Sequence, residues 1–240
     1  MAEYFFPLSR REEIAEDTLA FTFDTRGSGF SFRAGQHVDL TLIDPPATDA
    51  EGNNRTFSIA SSPNEPASIL IATRMRPTAF KNSLKIVPLG TRVKVAGPMG
   101  SLALHRDAAR PAVMLAGGIG ITLMRSMVIW AAEERLPHRI YLFYSNRTPQ
   151  ASAFLKDLES AQEENKNFTL VATITDSHDS DWKHESGRID ETMMKKSVPD
   201  LARAIFYLAG PPVMVGAMLG ILARLDVDGD NIKTEEFTGY

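Results

Sequence analysis

The chain has 240 residues, enough for one large domain or two domains of about 100 to 130 residues, each with a hydrophobic core of its own. Hydrophobic residues make up 43% and charged residues 23% of the chain, and the formal net charge of −4 argues against a surface for nucleic acids. Because the sequence contains no cysteine, these residues form no disulfide, no thiol nucleophile and no cysteine-ligated zinc or iron–sulfur centre.

The first half of the sequence has the pattern of an antiparallel β domain. Short runs of alternating residues are separated by turns rich in glycine and proline, and in one run Leu19, Phe21 and Phe23 share a face. Strands are predicted at residues 18–24, 36–42, 55–61, 69–74 and 91–96, with a short helix at 78–86. Many short strands with frequent turns favour an antiparallel β-barrel or a sandwich.

The second half changes to an alternation of strands and helices. Strands are predicted at residues 112–116, 139–145, 168–175, 204–209 and 232–237. Helices are predicted between them at residues 123–134, 151–164, 190–196 and 213–225. This order predicts a parallel five-stranded sheet covered by helices on both faces. We therefore expect two domains, a β domain over residues 1–107 and an α/β domain over residues 108–240.

A glycine turn follows the first strand of the predicted α/β domain, in the sequence PAVMLAGGIGITLMRSMVIW. Gly117, Gly118 and Gly120 let the backbone approach a phosphate closely, and the helix that follows offers free N–H groups at its start. Taken alone, such a turn is as often a tight connection as a nucleotide site. A second turn, at Gly210 and Pro211, follows another apolar strand, and the two turns are expected at the same edge of the sheet.

Five motifs in order resemble those of the ferredoxin–NADP reductase superfamily. They are RTFSIASSP, VAGPMGSLAL, AGGIGIT, YLAGPPVM and the C-terminal EEFTGY. The resemblance covers nearly the whole chain and implies a flavin-binding barrel followed by an NAD(P)-binding domain. FAD is the implied flavin, with FMN the less favoured alternative.

The resemblance also implies the flavin-binding residues. Arg55 would bind the flavin pyrophosphate with its planar guanidinium, Phe57 would stack on the isoalloxazine, and Ser58 would act catalytically beside the flavin N5. The alternative for Phe57 is an ordinary core aromatic, and the family usually has tyrosine there. The other implied flavin contacts are Thr56, Thr73, Arg74, Lys81, Asn82 and Ser83, of which Lys81 is equally well explained as a solvated turn residue.

The pyridine nucleotide would bind on the α/β domain. The implied pyrophosphate loop is formed by Gly117, Gly118, Gly120 and Thr122, and Gly210 and Pro211 would contact the nicotinamide. Arg147 follows the second strand where no acidic residue stands, which favours NADPH over NADH unless Arg147 is simply an exposed loop cation. The implied aromatic cover of the flavin, with a catalytic gating role, is Phe237 or Tyr240, and Phe237 is preferred.

Two departures from the family pattern bear on activity. Ala209 stands where many relatives have cysteine beside the nicotinamide, and Leu123 stands where the loop usually has proline after Thr122. A polar group of residues at 176–184 suggests a metal site, but its spacing is irregular and no metal is expected.

The resemblance implies a flavoprotein that passes hydride from NAD(P)H to FAD and then passes electrons to a separate acceptor. That acceptor would be ferredoxin, flavodoxin, a haem or oxygenase partner, or a small molecule. A non-catalytic flavin- or nucleotide-binding regulatory module is the alternative. No apolar run reaches the roughly 18 residues of a membrane span, and the N-terminus does not resemble a signal peptide, so a cytoplasmic location is expected.

Overall fold

The structure is a computed structural model that describes residues 2–176 and 181–236, with the backbone alone at Glu236. The first half of the chain forms one six-stranded sheet and one helix. The strands are β1 Glu3–Ala15, β2 Thr18–Asp24, β3 His37–Leu42, β4 Asn54–Ser58, β5 Ser68–Arg74 and β6 Arg92–Met99, and helix α1 is Ala79–Ile86. They pair in the order β4-β3-β6-β1-β2-β5, and all neighbours are antiparallel.

The sheet closes on itself to form the expected barrel. Just after β4, the Ala60 N–H donates to the Leu70 carbonyl of β5 at 2.7 Å, which joins the two outer strands of the order. The inward side chains form an apolar cluster that includes Phe21 and Phe23, and α1 adds Phe80 to the same cluster. Full burial of each such ring stabilises the barrel by about 1.5–3 kcal/mol.

The second half of the chain forms a parallel sheet with helices on both faces. Its elements are β7 Ala112–Gly117, α2 Ile121–Glu133, β8 Ile140–Asn146, α3 Leu155–Glu164, β9 Phe168–Ile174, β10 Glu185–Ser186, α4 Glu191–Ser197, β11 Ile205–Gly210, α5 Pro212–Arg224 and β12 Ile232–Glu236. The strand order is β10-β9-β8-β7-β11-β12. Every residue of β7 and β11 is buried, because these strands lie in the middle of the sheet between two helical layers. The predicted two-part architecture is confirmed.

Two details differ from the sequence-based expectation. The two-residue strand β10 pairs with β9 and extends the sheet from five strands to six, and it is too short to give a hydrophobic pattern. Helix α3 begins at Leu155 rather than at residue 151, because residues 149–151 form a 3-10 turn and Phe154 adopts a left-handed φ of 60°. The predicted first turn of that helix is therefore wrong.

Helix α2 attaches the two domains to each other. Arg125 donates to the Ala60 carbonyl at 2.6 Å, and the Ser126 hydroxyl donates to the Ser61 carbonyl at 2.7 Å. Arg125 also forms an ion pair with Asp157 of α3 at 2.7 Å. These contacts attach α2, the first helix of the α/β domain, to the segment that follows β4.

The connection between the domains runs from the end of β6 to the start of β7. Within it, the His105 N–H donates to the hydroxyl of Tyr207 in β11 at 2.8 Å, so the connection is tied to the second domain before β7 begins. The boundary between residues 107 and 108 lies in this connection and stays a prediction. In the described part of the chain, no helix is both long enough and apolar enough for a membrane span.

Candidate functional site

The two glycine turns meet at the carboxyl edge of the parallel sheet. β7 and β11 are neighbours, and each ends in a glycine, Gly117 and Gly210. A Cβ on Gly210 would lie 3.1 Å from the backbone nitrogen of Gly117. A Cβ on Gly120 would lie 2.3 Å from the Ala209 carbonyl oxygen, so only glycine fits there. The predicted proximity of the two turns is confirmed.

The turn after β7 leads directly into α2 without a side-chain cap. Gly118 has φ of 51° and begins a 3-10 turn over Gly118–Gly120, and the first residue of α2 follows at once. No side chain caps the start of α2 among the described residues. The Ile121 N–H donates to the carbonyls of Gly118 and Ile119, and the positive end of the helix dipole at this uncapped start favours an anion such as a pyrophosphate.

Three residues near this turn are turned inward. The Thr122 hydroxyl donates to the Ile119 carbonyl at 3.0 Å and is 2% exposed, so it stabilises the turn. Leu123, which replaces the family's proline, is fully buried in the core beneath α2, and Ala209 is fully buried in β11. Leu123 thus anchors α2 by apolar packing.

Arg55 lies on β4 and is surrounded by acceptors from its own chain. Its guanidinium donates to the carbonyl oxygens of Glu51, Gly52 and Asn54 at 2.9, 3.2 and 2.6 Å. It also forms ion pairs with the Glu51 carboxylate at 2.7 Å and the Asp49 carboxylate at 3.6 Å. The guanidinium therefore lies in a preformed anion-binding position that side-chain carboxylates fill.

Phe57 and Thr56 point to opposite faces of β4. Phe57 is 7% exposed, belongs to the barrel core and has its ring centroid 5.9 Å from that of Phe80. The Thr56 hydroxyl donates to the carboxylate of Asp39 on β3. The roles of Phe57 in flavin stacking and of Thr56 in flavin binding stay predictions.

Ser58 ends β4 beside the other domain. Its hydroxyl lies 3.3 Å from the Glu235 carboxylate of β12, and His37 Nδ1 lies 3.9 Å from the same oxygen. Burial raises the pKa of Glu235, and the nearby His37 and the Ser58 hydrogen bond partly oppose that rise. A serine, an imidazole and a carboxylate therefore meet between the barrel and the parallel sheet.

The predicted phosphate-binding residues around α1 have different surroundings and do not all face one site. Arg74 and Lys81 lie together, with the Lys81 ammonium donating to the Arg74 carbonyl at 2.8 Å. Burial lowers the Lys81 pKa, with further lowering from Arg76 and Arg55, so this is a cationic cluster. Ser83 is 1% exposed and donates to the Ala47 carbonyl at 3.2 Å. The remaining predicted residues are Thr73, which is buried on β5, and Asn82, which is exposed on α1.

Arg147 lies in a cleft between the domains at the carboxyl end of β8. The cleft has a volume of about 520 Å³, and Arg74 of the barrel also lines it. Its acidic lining residues are Glu16, Asp17 and Asp176. The structure thus brings two predicted cofactor residues from different domains into one cleft of mixed charge.

The predicted aromatic cover, Phe237 or Tyr240, lies outside the described residues. Over residues 2–176 and 181–236, no group of three histidine or carboxylate side chains is arranged to hold a metal ion. Of the polar segment at 176–184, His184 pairs instead with Glu159 of α3 at 2.9 Å.

Four residues of the site were not found from the sequence. His37 is the cross-strand partner of Ser58 within the barrel, whereas Glu235 reaches both only when the two domains pack, and no local motif marks either residue. Asp49 and Glu51 lie in the loop between β3 and β4, where a polar composition indicates only a turn. Their one available signal was the presence of carboxylates four and six residues before Arg55, within reach of its side chain.

Comparison with known proteins agrees with this arrangement. The chain is 26% identical over 238 residues to the reductase component of propane 2-monooxygenase from Rhodococcus jostii, covering 96% of this chain and 62% of that protein. It therefore spans less than two thirds of that relative's length.

Solved structures share the fold across both domains. The cytochrome P450 reductase GcoB of Amycolatopsis aligns with a TM-score of 0.85 at 23% identity, covering 99% of this chain and 70% of that one. The FAD/NAD-binding domain of nitric oxide dioxygenase from Vibrio cholerae aligns with a TM-score of 0.84 at 17% identity, covering 97% and 98%.

Both halves of the chain match known domain families. Residues 5–104 match the oxidoreductase FAD-binding domain, and residues 114–219 match the oxidoreductase NAD-binding domain. The barrel and the parallel sheet follow one another in that same order. The chain therefore belongs to the ferredoxin–NADP reductase superfamily of flavin- and pyridine-nucleotide-binding oxidoreductases.

Proposed function

We propose that this chain is the electron-input unit of a flavoprotein reductase, which takes a hydride from NAD(P)H and delivers electrons to a separate acceptor. The observation that carries the proposal is the contact between Ser58 at the end of β4 and Glu235 on β12, at 3.3 Å. It brings the proposed flavin strand of the barrel next to the strand pair that carries the nucleotide turns.

The chain's own residues would position the two reactants. When bound, FAD supplies the hydride and electron chemistry. Arg55 and the Lys81 cluster would hold its phosphates, and Ser58 would donate a hydrogen bond at its reactive edge. The backbone of Gly117, Gly118 and Gly120 would hold the nucleotide pyrophosphate, and Gly210 and Pro211 would lie against the nicotinamide. Correct distance and exclusion of water are the main contributions of the protein to such a transfer.

The remaining contacts to the two cofactors are part of the same proposal. They are Thr56, Phe57, Thr73, Arg74, Asn82 and Ser83 for the flavin, Thr122 for the nucleotide turn, and Phe237 or Tyr240 for the aromatic cover. Ser83 and Thr122 would act by holding α1 and the turn in place, because their hydroxyls donate inward. FAD rather than FMN remains the proposed flavin.

NADPH is proposed as the preferred nucleotide, on the strength of Arg147. A guanidinium is suited to the 2′-phosphate, and Arg74 lies in the same cleft. The acidic side chains in that cleft are suited instead to the ribose hydroxyls of NADH. Kinetic constants with both nucleotides therefore decide between them.

The proposed acceptor is a redox protein of the oxygenase or haem type, or a ferredoxin-like carrier. The named relative is the reductase component of a monooxygenase, which supports this class of partner. These 240 residues have no cysteine, so a cysteine-ligated cluster would have to come from outside them. A cytoplasmic location stays a prediction.

An anaerobic titration tests the proposed function. The purified protein is reconstituted with FAD, and its visible spectrum is followed while NADH or NADPH is added. Loss of the oxidised flavin bands within the mixing time supports the reductase. A protein that binds FAD but whose flavin absorbance does not change with either nucleotide would instead identify a regulatory flavin module. A protein that binds no FAD would refute the proposal.

A further inference from the structure

The loop between β3 and β4 reaches across to the start of α1. Asp49 accepts a hydrogen bond from the Ala79 N–H, the first N–H of α1, at 3.0 Å. The Ser83 hydroxyl of α1 donates to the carbonyl of Ala47 in the same loop at 3.2 Å. The loop is therefore attached to α1 at two points, one of them the positive end of the helix.

The same loop supplies the carboxylates that pair with Arg55. Glu51 lies 2.7 Å and Asp49 lies 3.6 Å from the Arg55 Nη2 atom. The other amino group of the guanidinium donates to three backbone carbonyls, two of them in the loop at Glu51 and Gly52. Asp49 thus contacts both Arg55 and α1, and the hydrogen-bonding capacity of the Arg55 fork is largely taken up by the loop.

Carboxylates and phosphates compete for this kind of position. Arginine and a helix N-terminus bind either group through the same charge-assisted N–H bonds. Asp49 and Glu51 together carry the same two negative charges as a pyrophosphate. A phosphate that approached Arg55 with both carboxylates in place would meet like charge, so the loop and a bound phosphate exclude one another at this guanidinium.

We propose that the loop over residues 43–53 is an internal competitor for the flavin phosphates, with Asp49 and Glu51 as the competing groups. It keeps Arg55 paired when no flavin is bound, and it makes flavin binding weaker and more reversible than the cationic cluster alone would give. The inference rests on the proposed function, because it takes Arg55 as the residue that binds the flavin phosphates.

The loop has the features of a segment that can leave Arg55. Glu51 is 70% exposed at its side chain, and Asp49 is 34% exposed. At its base, the Asn53 amide donates to the Leu42 carbonyl at 2.7 Å, and Gly52 adopts φ of 72°. Releasing the carboxylates therefore exposes no apolar core, and the base of the loop stays attached to β3.

Titration calorimetry on the flavin-free protein tests this inference. The double variant Asp49→Asn, Glu51→Gln removes both charges but keeps an amide oxygen for the Ala79 N–H. It should bind FAD and FMN about tenfold more tightly than the unmodified protein, which corresponds to about 1.4 kcal/mol. Binding of riboflavin, which has no phosphate, should not change. Glu51→Gln alone, at a mostly exposed position, serves if the double variant folds poorly.

Asp44→Asn is the matched control, because it removes one charge from the same loop and, in the described part of the chain, forms no ion pair with Arg55. Equal FAD affinity in the double variant and the unmodified protein would refute the proposal that the loop competes with the flavin phosphates. An equal increase in FAD affinity in Asp44→Asn, or an equal increase in riboflavin affinity in the double variant, would also refute it.

Arg55→Ala separates this failure from failure of the proposed function. If Arg55→Ala weakens FAD binding while the carboxylate variants leave FAD affinity unchanged, only the proposed competition by the loop is wrong. If no protein in the set binds FAD, both proposals are refuted. Binding by the double variant alone would be the strongest support for the competitor.

Discussion

Ser58 Oγ and Glu235 Oε1 lie 3.3 Å apart although 177 positions separate the two residues in the sequence. Ser58 ends a barrel strand, and Glu235 lies on the outermost strand of the parallel sheet. His37, which pairs with Ser58 across β3 and β4, approaches the same carboxylate. This three-residue contact joins the two domains through polar side chains at a second place, apart from the contacts that α2 makes with the segment after β4.

Replacing Ser58 with alanine should slow flavin reduction more than it weakens flavin binding. Loss of one positioned hydrogen bond of about 1.4 kcal/mol would lower the rate roughly tenfold. Stopped-flow absorbance with saturating nucleotide measures the rate, and fluorescence titration measures the flavin Kd. Ser9→Ala, an exposed change on β1, is the control. An unchanged reduction rate would remove Ser58 from the proposed catalytic role.

Glu235→Gln should raise the thermal stability of the protein at neutral pH. Burial raises the pKa of this carboxyl above its ordinary value of 4.5, so the folded state favours the protonated form. Between pH 4.5 and the higher pKa of the folded state, the unfolded protein has released this proton while the folded protein keeps it, so stability falls as the pH rises through this window. Below about pH 4.5 both states are protonated and no such loss remains.

The Tm of Glu235→Gln should therefore exceed that of the unmodified protein at pH 7, and the difference should shrink to zero as the pH falls below 4.5. Calorimetric scans from pH 4 to pH 8 measure it, with the exposed Glu163→Gln as a control. A Tm difference that is constant over this range would mean that the Ser58 contact, and not ionisation, sets the effect.

Gly120→Ala should damage both the nucleotide turn and the fold. The new Cβ would lie 2.3 Å from the Ala209 carbonyl oxygen, and this backbone atom cannot move freely. Overpacking of this kind costs about 1–3 kcal/mol. Chemical denaturation and NADH titration are the measurements, and both should show a loss.

Gly216→Ala is the matched control, since it lies within α5 and a Cβ there meets nothing within 4 Å. Alanine is favoured over glycine inside a helix by about 0.5–1 kcal/mol, so this variant should be slightly more stable. If Gly120→Ala behaved like Gly216→Ala, the close approach of the two glycine turns would not matter for binding.

The repeating features of the fold could be predicted because they are local. Alternation places Phe21 and Phe23 inside the barrel, and the unbroken apolar run of β7 follows from burial on both sides of the sheet. The glycine turns were likewise predictable, because their glycines directly follow apolar strands in the sequence. The structure shows that Gly120 is required there by a close backbone contact. Strand β10 was not, since two residues carry no periodicity.

The site was predicted less completely because side-chain direction and domain packing are not local. The hydroxyls of Ser83 and Thr122 are of a type that binds phosphate, yet the geometry of their turns directs both to nearby carbonyls. His37 meets Ser58 through strand pairing within the barrel, and Glu235 joins them only through the packing of two domains. Arg55 was recognised, whereas the loop carboxylates that neutralise it are visible only when the loop folds back onto α1.

Arg147→Ala should raise the KM for NADPH by about tenfold and leave the KM for NADH nearly unchanged. The expected loss is a charged hydrogen bond to the 2′-phosphate, worth about 1.5–3 kcal/mol when desolvated and less at this exposed position. Steady-state reduction of ferricyanide with each nucleotide measures the two constants. Lys166→Ala removes the same charge just before β9, at the opposite edge of the sheet, and should change neither KM. Equal changes in the KM for NADPH and NADH would show that the guanidinium does not bind the 2′-phosphate. The acidic residues of the cleft would then favour NADH.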